Sequence, residues 1–202
     1  GTGLERPGDV DGDGTEDVTP AARYSRRTYI YSGKDGHVLF TLNAEKKADA
    51  FGQHVSTAGD VDHDGHADFI VGAPANGAGG ANAGRAYVYS GRDGHILLTL
   101  TGERAGDAFG STVAGYADSA HSFIVVGAPR AGSGKVGRTY VYEGLAPKPK
   151  FVIESDSTGR ALGAMFVSVA GDVNGDGVPD IYASDFTNGA KGPSTRPIYV
   201  HS

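Results

Sequence analysis

The sequence predicts an all-β protein built from short strands and tight turns. Of its 202 residues, 33 are glycine and 9 are proline, a composition typical of many short strands joined by turns. Hydrophobic residues make up 39% of the chain, enough to bury a core. No helix-length stretch carries the i, i+3, i+4, i+7 apolar spacing of an amphipathic helix, so long helices are not expected.

A repeat of four short strands organises the chain. The steps Phe51-Gly52 and Phe109-Gly110 lie 58 residues apart, and a unit begins at each. Each unit continues with a Val-containing strand, an Asp position, an apolar strand ending in Gly-Ala-Pro, a Gly-rich loop and an Arg-x-Tyr-Val-Tyr strand. In the unit that begins at Phe51, a tight turn and a last apolar strand then complete the pattern. Four-stranded units at a period of roughly 50 to 60 residues fit the blades of a β-propeller, whereas a β-sandwich gives no reason for the period.

Two degenerate copies flank the central units, so that a single propeller segment spans residues 1–202. We place the four repeats at about residues 1–50, 51–108, 109–161 and 162–202. The first copy offers only residues 2–7 ahead of its acidic loop, too short and polar for an inner strand, and the last copy stops after its third strand. An open array would expose strand edges and blade faces. We therefore expect the chain to be part of a larger propeller or to pack against another chain.

The strand positions follow from the apolar runs. They are residues 28–31 and 38–42 in the first copy, 54–58, 69–74, 85–89 and 96–100 in the second, 111–114, 123–129 and 138–142 in the third, and 165–170, 181–184 and 198–200 in the last. Asp35-Gly36 and Asp93-Gly94 predict two-residue hairpin turns, because glycine tolerates the positive φ that they require. Tyrosine pairs alternate on three strands, at Tyr29/Tyr31, Tyr87/Tyr89 and Tyr140/Tyr142. We interpret them as packing between blades, with an aromatic platform for sugars as the alternative.

Three loops share one spacing of oxygen-bearing residues, with acidic or amide groups at loop positions 1, 3, 5 and 9 and glycine at position 6. The candidate metal ligands are Asp9, Asp11, Asp13, Thr15 and Asp17 in the first loop, Asp60, Asp62, Asp64, His66 and Asp68 in the second, and Asp172, Asn174, Asp176, Val178 and Asp180 in the third. Calcium takes roughly six to eight oxygen ligands, and alternate residues of a tight loop turn their carboxylates inward. The residue at position 7 can offer its backbone carbonyl whatever its side chain.

Solvated Asp-Gly turns are the alternative interpretation of one such loop, but three loops with the same spacing favour calcium. An EF-hand is excluded because it needs a Glu at position 12, where Pro20, Val71 and Ala183 stand. The loop positions hold eleven of the 24 carboxylates, and three divalent ions would cancel the net charge of −6. We expect about three calcium ions. The third repeat has lost this loop, so Asp118 should bind none.

The combination of Phe-Gly, the acidic loop and Gly-Ala-Pro resembles FG-GAP repeats, which form the propeller of integrin α subunits and occur in many bacterial secreted proteins. The resemblance extends from about Pro7 to Val200, although Leu162 stands where the last repeat would have Phe. It implies calcium between the first and second strands of a blade, on one face. It also implies that loops on the opposite face bind a partner, and that the protein is extracellular or at the cell surface, secreted and of bacterial origin. Those opposite loops are residues 75–84, 130–137 and 187–197, together with strand 4–1 loops such as 102–108.

The expected function is a calcium-binding, non-catalytic module for protein interaction, adhesion or assembly, whose partner is a protein, another copy or the rest of a longer propeller. A carbohydrate-binding module or an accessory domain of a secreted hydrolase is the alternative, and an enzyme with a central pocket is the third hypothesis. The net charge of −6 argues against nucleic acid as a partner. No apolar run is long enough for membrane insertion. Neither HExxH nor GxSxG appears, and metal binding accounts for most of the Asp residues, so we do not expect an enzyme.

Overall fold

The structure is a computed structural model that describes residues 4–20, 27–155, 160–185 and 198–201. The strands are β1 (Leu4–Gly8), β2 (Asp17–Pro20), β3 (Arg27–Tyr31), β4 (Val38–Asn43), β5 (Val55–Gly59), β6 (Asp68–Ala73), β7 (Arg85–Tyr89), β8 (Ile96–Thr101), β9 (Thr112–Ala117), β10 (Ser122–Ala128), β11 (Arg138–Glu143), β12 (Phe151–Glu154), β13 (Val167–Val169), β14 (Ile181–Ser184) and β15 (Ile198–His201). One 3₁₀-helix, Ser133–Lys135, lies between β10 and β11. The predicted loop at residues 187–197 falls outside the described residues.

The strands form four antiparallel sheets in chain order. We name them sheet 1 (β1–β4), sheet 2 (β5–β8), sheet 3 (β9–β12) and sheet 4 (β13–β15). Consecutive strands are neighbours in every sheet, so the connections within each sheet are hairpins. This arrangement confirms the prediction of an all-β propeller with four-stranded antiparallel blades. In the described residues sheet 4 has three strands, while the limits of the four repeats remain a prediction.

The prediction that the first copy lacks an inner strand is wrong. Leu4–Gly8 forms β1, which pairs with β2 in the register Leu4↔Pro20 and Glu5↔Thr19. The register is irregular between Glu5 and Gly8, next to Pro7, which has no N–H to donate. Pro7 is the one buried side chain of the strand, and β1 packs against β5 of sheet 2. A strand whose place is set by a neighbouring sheet needs little apolar sequence of its own.

The Asp-Gly turns have the predicted φ but not the predicted length. Gly36 has a φ of +77° and Gly94 a φ of +74°. The Ser32 N–H, however, donates to the carbonyl of His37, which leaves residues 33–36 in the turn. The Asp35 carboxylate accepts the backbone N–H of His37 at 3.1 Å and stabilises this longer turn. The turn between Ser90 and His95 is built in the same way.

The cores lie between sheets rather than within them. The innermost strands pack in sequence, β1 on β5, β5 on β9 and β9 on β13. One buried cluster joins sheets 1 and 2, a second joins sheets 2 and 3, and a third joins sheets 3 and 4. Tyr87, Tyr89, Tyr140 and Tyr142 are buried in these clusters. Their burial confirms packing between blades for these two pairs and removes them as a platform for sugars, whereas Tyr29 and Tyr31 are half-buried and belong to none of the three clusters.

The Phe-Gly and Gly-Ala-Pro motifs meet where neighbouring sheets adjoin. A Cβ at Gly72 would lie 2.1 Å from the carbonyl oxygen of Gly110, which belongs to the next Phe-Gly step. Gly127 stands in the same relation to Gly163, at 2.2 Å. Such a close approach of two backbones requires glycine. Both motifs therefore serve the junction between blades.

The four sheets form an arc that is open in the described part of the chain. No contact between β13 and β1 matches those that join the other inner strands. Apolar side chains are exposed at both ends of the arc, with Leu4 66% exposed and Val200 58% exposed. The two ends are therefore surfaces that further blades or another chain could cover.

Candidate metal centres

The acidic loops connect the first and second strands of sheets 1, 2 and 4. Because the strands are antiparallel, these connections share one end of the sheets with the connections between third and fourth strands. The connections between second and third strands lie at the opposite end. We call these ends the metal face and the opposite face. The structure thus places all three acidic loops where the resemblance implied.

The loop of sheet 2 turns its carboxylates toward a common point. Oxygen atoms of Asp60, Asp62 and Asp68 lie within 4.8 Å of one another. The two Asp60 oxygens accept the backbone N–H groups of Asp64 and Gly65, at 3.0 and 2.9 Å. Asp62 accepts the Asp64 N–H as well, at 3.2 Å. These bonds fold the loop tightly and hold three carboxylates close together, which costs electrostatic energy unless a cation is present.

The loop of sheet 1 repeats this arrangement. Oxygen atoms of Asp9, Asp11 and Asp17 lie within 4.8 Å of one another. Asp9 accepts the N–H groups of Asp13 and Gly14, at 3.0 and 2.9 Å. The two loops thus share both the grouping at positions 1, 3 and 9 and the backbone bonds that create it.

The carboxylate at position 9 is the most buried member of each group. Asp68 is fully buried and accepts the backbone N–H of Val61 at 2.8 Å and that of Gly91 at 2.9 Å. Burial raises the pKa of Asp68 to about 6, and the nearby Asp62 and Asp60 carboxylates add to the rise, against the two backbone bonds that lower it. Burial is also the largest cause of the raised pKa of Asp11. Carboxylates that resist ionisation in this way gain stability from a divalent cation.

The carboxylate at position 5 is not among the grouped carboxylate oxygens of the described structure. Asp13 and Asp64 each accept the backbone N–H of position 7, at 2.9 and 3.0 Å. Lys34 lies 3.6 Å from Asp13. Hydrogen bonds from Thr15 and the charge of Lys34 outweigh desolvation and lower the pKa of Asp13. Coordination by position 5 and by the carbonyl of position 7 therefore stays a prediction.

The loop of sheet 4 differs through Asn174. Asp180 is buried and accepts the Val173 N–H at 2.7 Å, as its counterparts do. The amide nitrogen of Asn174, however, donates to Asp176 at 3.1 Å and to Asp180 at 3.4 Å. Asp172 is exposed, and hydrogen bonds led by that from the Gly177 N–H lower its pKa. This loop keeps the fold of the other two, but a neutral amide replaces one carboxylate and donates hydrogen bonds to two others.

Sheet 3 replaces the acidic loop by a short turn around Asp118. Its carboxylate accepts the Tyr116 hydroxyl at 2.6 Å and the N–H groups of Ala120 and His121, both at 2.7 Å. The Tyr116 bond and the two backbone bonds lower the pKa of Asp118 to about 2. The turn stabilises its single carboxylate with its own donors.

The acidic loops of sheets 1 and 2 are joined directly, which the sequence did not reveal. The Ala67 N–H donates to the carbonyl of Asp9 at 3.0 Å. The Nδ1 atom of His66 lies 3.0 Å from the carbonyl oxygen of Val10. Position 7 of one loop therefore also contacts the preceding loop. The spacing of ligands carries no signal for such a contact between repeats.

The fold and the loops define a class of protein: a β-propeller whose blades carry acidic loops on one face. Residues 51–89 match the family model described as FG-GAP repeat. Together with 30% identity to an integrin α subunit over 95% of its length, this match shows that the chain belongs to the FG-GAP repeat, integrin α-like β-propeller family. Among the described residues, no helix has the length and apolar character needed to cross a membrane.

Known proteins with similar sequences include integrins and a phospholipase. Integrin alpha-V of Gallus gallus is 30% identical over 213 residues, covering 95% of this chain and 20% of that protein. Phosphatidylinositol-glycan-specific phospholipase D of Bos taurus is 34% identical over 147 residues, covering 62% of this chain and 17% of that protein. The chain spans about a fifth of the length of these relatives. The match to a solved structure of the Dos1 propeller covers 84% of this chain and 40% of the Dos1 chain. The TM-score is 0.50 and the sequence identity is 11%, so the two chains are similar in fold.

Proposed function

We propose that this chain is a calcium-binding, non-catalytic β-propeller module that acts outside the cell by binding a protein partner or by assembling with further blades. The observation that carries the proposal is the convergence of carboxylate oxygens from loop positions 1, 3 and 9 within 4.8 Å in two loops. Ligand sets made only of oxygen suit a hard cation such as calcium. Positions 5 and 7 would complete each site, with ligand distances of about 2.3 to 2.6 Å.

Three further points support parts of this proposal. The loop of sheet 4 folds with the same backbone hydrogen bonds to Asp172 and Asp180, which supports a third ion there although Asn174 replaces one carboxylate. Similarity to integrin alpha-V over 95% of the chain supports protein interaction, adhesion and an extracellular or cell-surface location. A bacterial source is proposed from the family resemblance alone. The non-catalytic role is proposed from the similarity to integrin alpha-V, together with the placement of the loop carboxylates in candidate metal sites.

Calcium titration by isothermal calorimetry tests the metal sites one at a time. The wild-type chain should bind about three ions, and Asp62→Ala should lose one of them. Asp62 suits this test because it is half-buried and accepts a single backbone N–H, so its loss should leave the fold intact. Asp118→Ala, in the short turn of sheet 3, is the matched control and should keep all ions. Absence of calcium binding at millimolar concentration, or equal loss in both variants, would contradict the proposal.

A further inference from the structure

A cavity of about 120 Å³ on the opposite face is lined by several cationic side chains. It lies where the β8–β9 connection meets the β10–β11 connection. The cations that line it are Arg104, Arg130, Lys135 and Arg138. The whole chain has a net charge of −6, so this concentration of cations is local and opposite in sign.

Three of the four cations are available to a ligand. Arg138 is engaged, because its guanidinium bonds Glu154 at 3.1 Å and lies 3.5 Å from Glu103. Arg104, Arg130 and Lys135 are exposed, and within the described part of the chain their side chains form no ion pair or hydrogen bond. The buried acid of the cavity, Asp107, accepts the backbone N–H of Arg104 rather than a cationic side chain. The cavity therefore holds unpaired positive charge.

The preceding repeat shows what has changed at this place. Aligned on Gly-Ala-Pro, Ala75 and Asn76 of sheet 2 correspond to Arg130 and Ala131 of sheet 3. The Asn76 amide is buried and donates to Asp49 at 2.9 Å and to Glu45 at 3.2 Å. Sheet 3 has lost that internal donor and gained an exposed cation. The two changes together turn an internally bonded site into one that can bind an external anion.

A larger cleft of about 370 Å³ adjoins the cavity and shares Arg130 with it. Its other polar side chains are neutral, namely Gln53, Asn82 and Ser111, and prolines and alanines line the remainder. Amide and hydroxyl groups beside a cation suit the backbone of an extended peptide next to an acidic side chain. The Arg130 guanidinium can bind a carboxylate in a bidentate manner.

We propose that the cavity binds an acidic side chain of a partner protein, and that the adjoining cleft accepts the flanking peptide backbone. This inference rests on the proposed role in protein interaction and specifies the chemistry of the partner. A densely charged polyanion, such as a sulfated glycan, fits less well, because Glu103 and Glu154 stand beside Arg138 and the chain as a whole is acidic. A single carboxylate experiences mainly the nearby cations, since salt screens the more distant charges.

Fluorescence anisotropy on the full chain with calcium tests the inference. The probe is a labelled, end-capped Gly-Glu-Asp-Glu-Gly peptide, compared with its Gln/Asn counterpart and with a heparin fragment. The acidic peptide should bind in a salt-dependent manner, and the Gln/Asn peptide should not. Arg130→Ala should weaken binding at least tenfold, because a charge-assisted bond is lost. Arg92→Ala, at an exposed arginine in a hairpin of the metal face, is the matched control and should change it less than twofold.

The outcomes separate this inference from the proposed function. Failure of the acidic peptide to bind, equal weakening in both variants, or preference for the heparin fragment would overturn the inference. Calorimetric calcium binding by the same Arg130→Ala protein shows that it is folded. Intact calcium binding without peptide binding would reject the acidic partner and leave the calcium-binding module in place.

Discussion

Replacing Gly110 by alanine should destabilise the protein more than replacing Gly106 by alanine. The two glycines are a matched pair, because their φ angles are +85° and +88°. Alanine in this left-handed region costs about 1 to 2 kcal/mol at either position. Their surroundings differ. A Cβ at Gly110 would lie 2.1 Å from the Arg85 carbonyl oxygen, whereas a Cβ at Gly106 would meet nothing within 4 Å.

The magnitude follows from the distance. Real Cβ atoms essentially never approach closer than 3.0 Å, so the Arg85 carbonyl in β7 or the Gly110 backbone must move by roughly 1 Å. Overpacking of this kind costs about 1 to 3 kcal/mol beyond the conformational cost. Gly110→Ala should therefore lose about 2 to 5 kcal/mol, against about 1 to 2 kcal/mol for Gly106→Ala. For a chain of this length the melting temperatures should differ by about 2 to 12 °C.

Urea denaturation at saturating calcium, with melting curves in parallel, measures the difference. Calcium titration of both variants should be unchanged, because neither glycine lies on the metal face. Equal losses in the two variants would refute the idea that Phe-Gly exists for the junction between blades. A larger loss for Gly106→Ala would refute it as well.

Three further predictions concern metal, pH and assembly. With a dissociation constant of about 10⁻⁴ M, removing about 1 mM calcium from three sites should cost about 4 kcal/mol, and an unchanged melting curve in excess EDTA would contradict this. Tyr116→Phe should raise the pKa of Asp118 from about 2 toward 3.8, as measured by NMR titration. A lowered carboxyl pKa stabilises the fold above about pH 4, and this stabilisation disappears as the pH falls to about 2. Between about pH 4 and pH 2 the free energy of unfolding should therefore fall less in Tyr116→Phe than in the wild-type protein. Sedimentation of the isolated chain should show association through the exposed ends of the arc, and a compact monomer would refute it.

The sequence predicted the features that each repeat carries within itself. The periods of Phe-Gly and Gly-Ala-Pro, the alternating tyrosines and the loop spacing led to a propeller with acidic loops. These signals are strong because each depends on local geometry: Asp60 and Asp62 are two residues apart on one tight turn, so their carboxylates converge in the structure.

Several features that depend on contacts between repeats were not predicted. The strand at Leu4–Gly8 was missed because β5 of the next sheet, and not its own apolar pattern, places it. Asn174 counts as a ligand by spacing, yet its amide nitrogen contacts the carboxylates of the same loop. The cationic cavity combines Arg104 of the β8–β9 connection with Arg130 and Lys135 of the β10–β11 connection, so no single connection reveals it.

The position of Phe109 has a consequence for how such a chain can lengthen during evolution. Its N–H donates to the carbonyl of Ala83 in the preceding repeat, and its ring is buried in the cluster between sheets 2 and 3. A duplicated segment that begins at Phe-Gly therefore carries the aromatic side chain that packs against the unit before it. The same segment ends with the surface against which the Phe-Gly step of the following unit packs. Tandem duplication can thus insert a whole blade without redesigning a junction, while the loop at the far end is free to lose its acidic residues, as in the turn around Asp118.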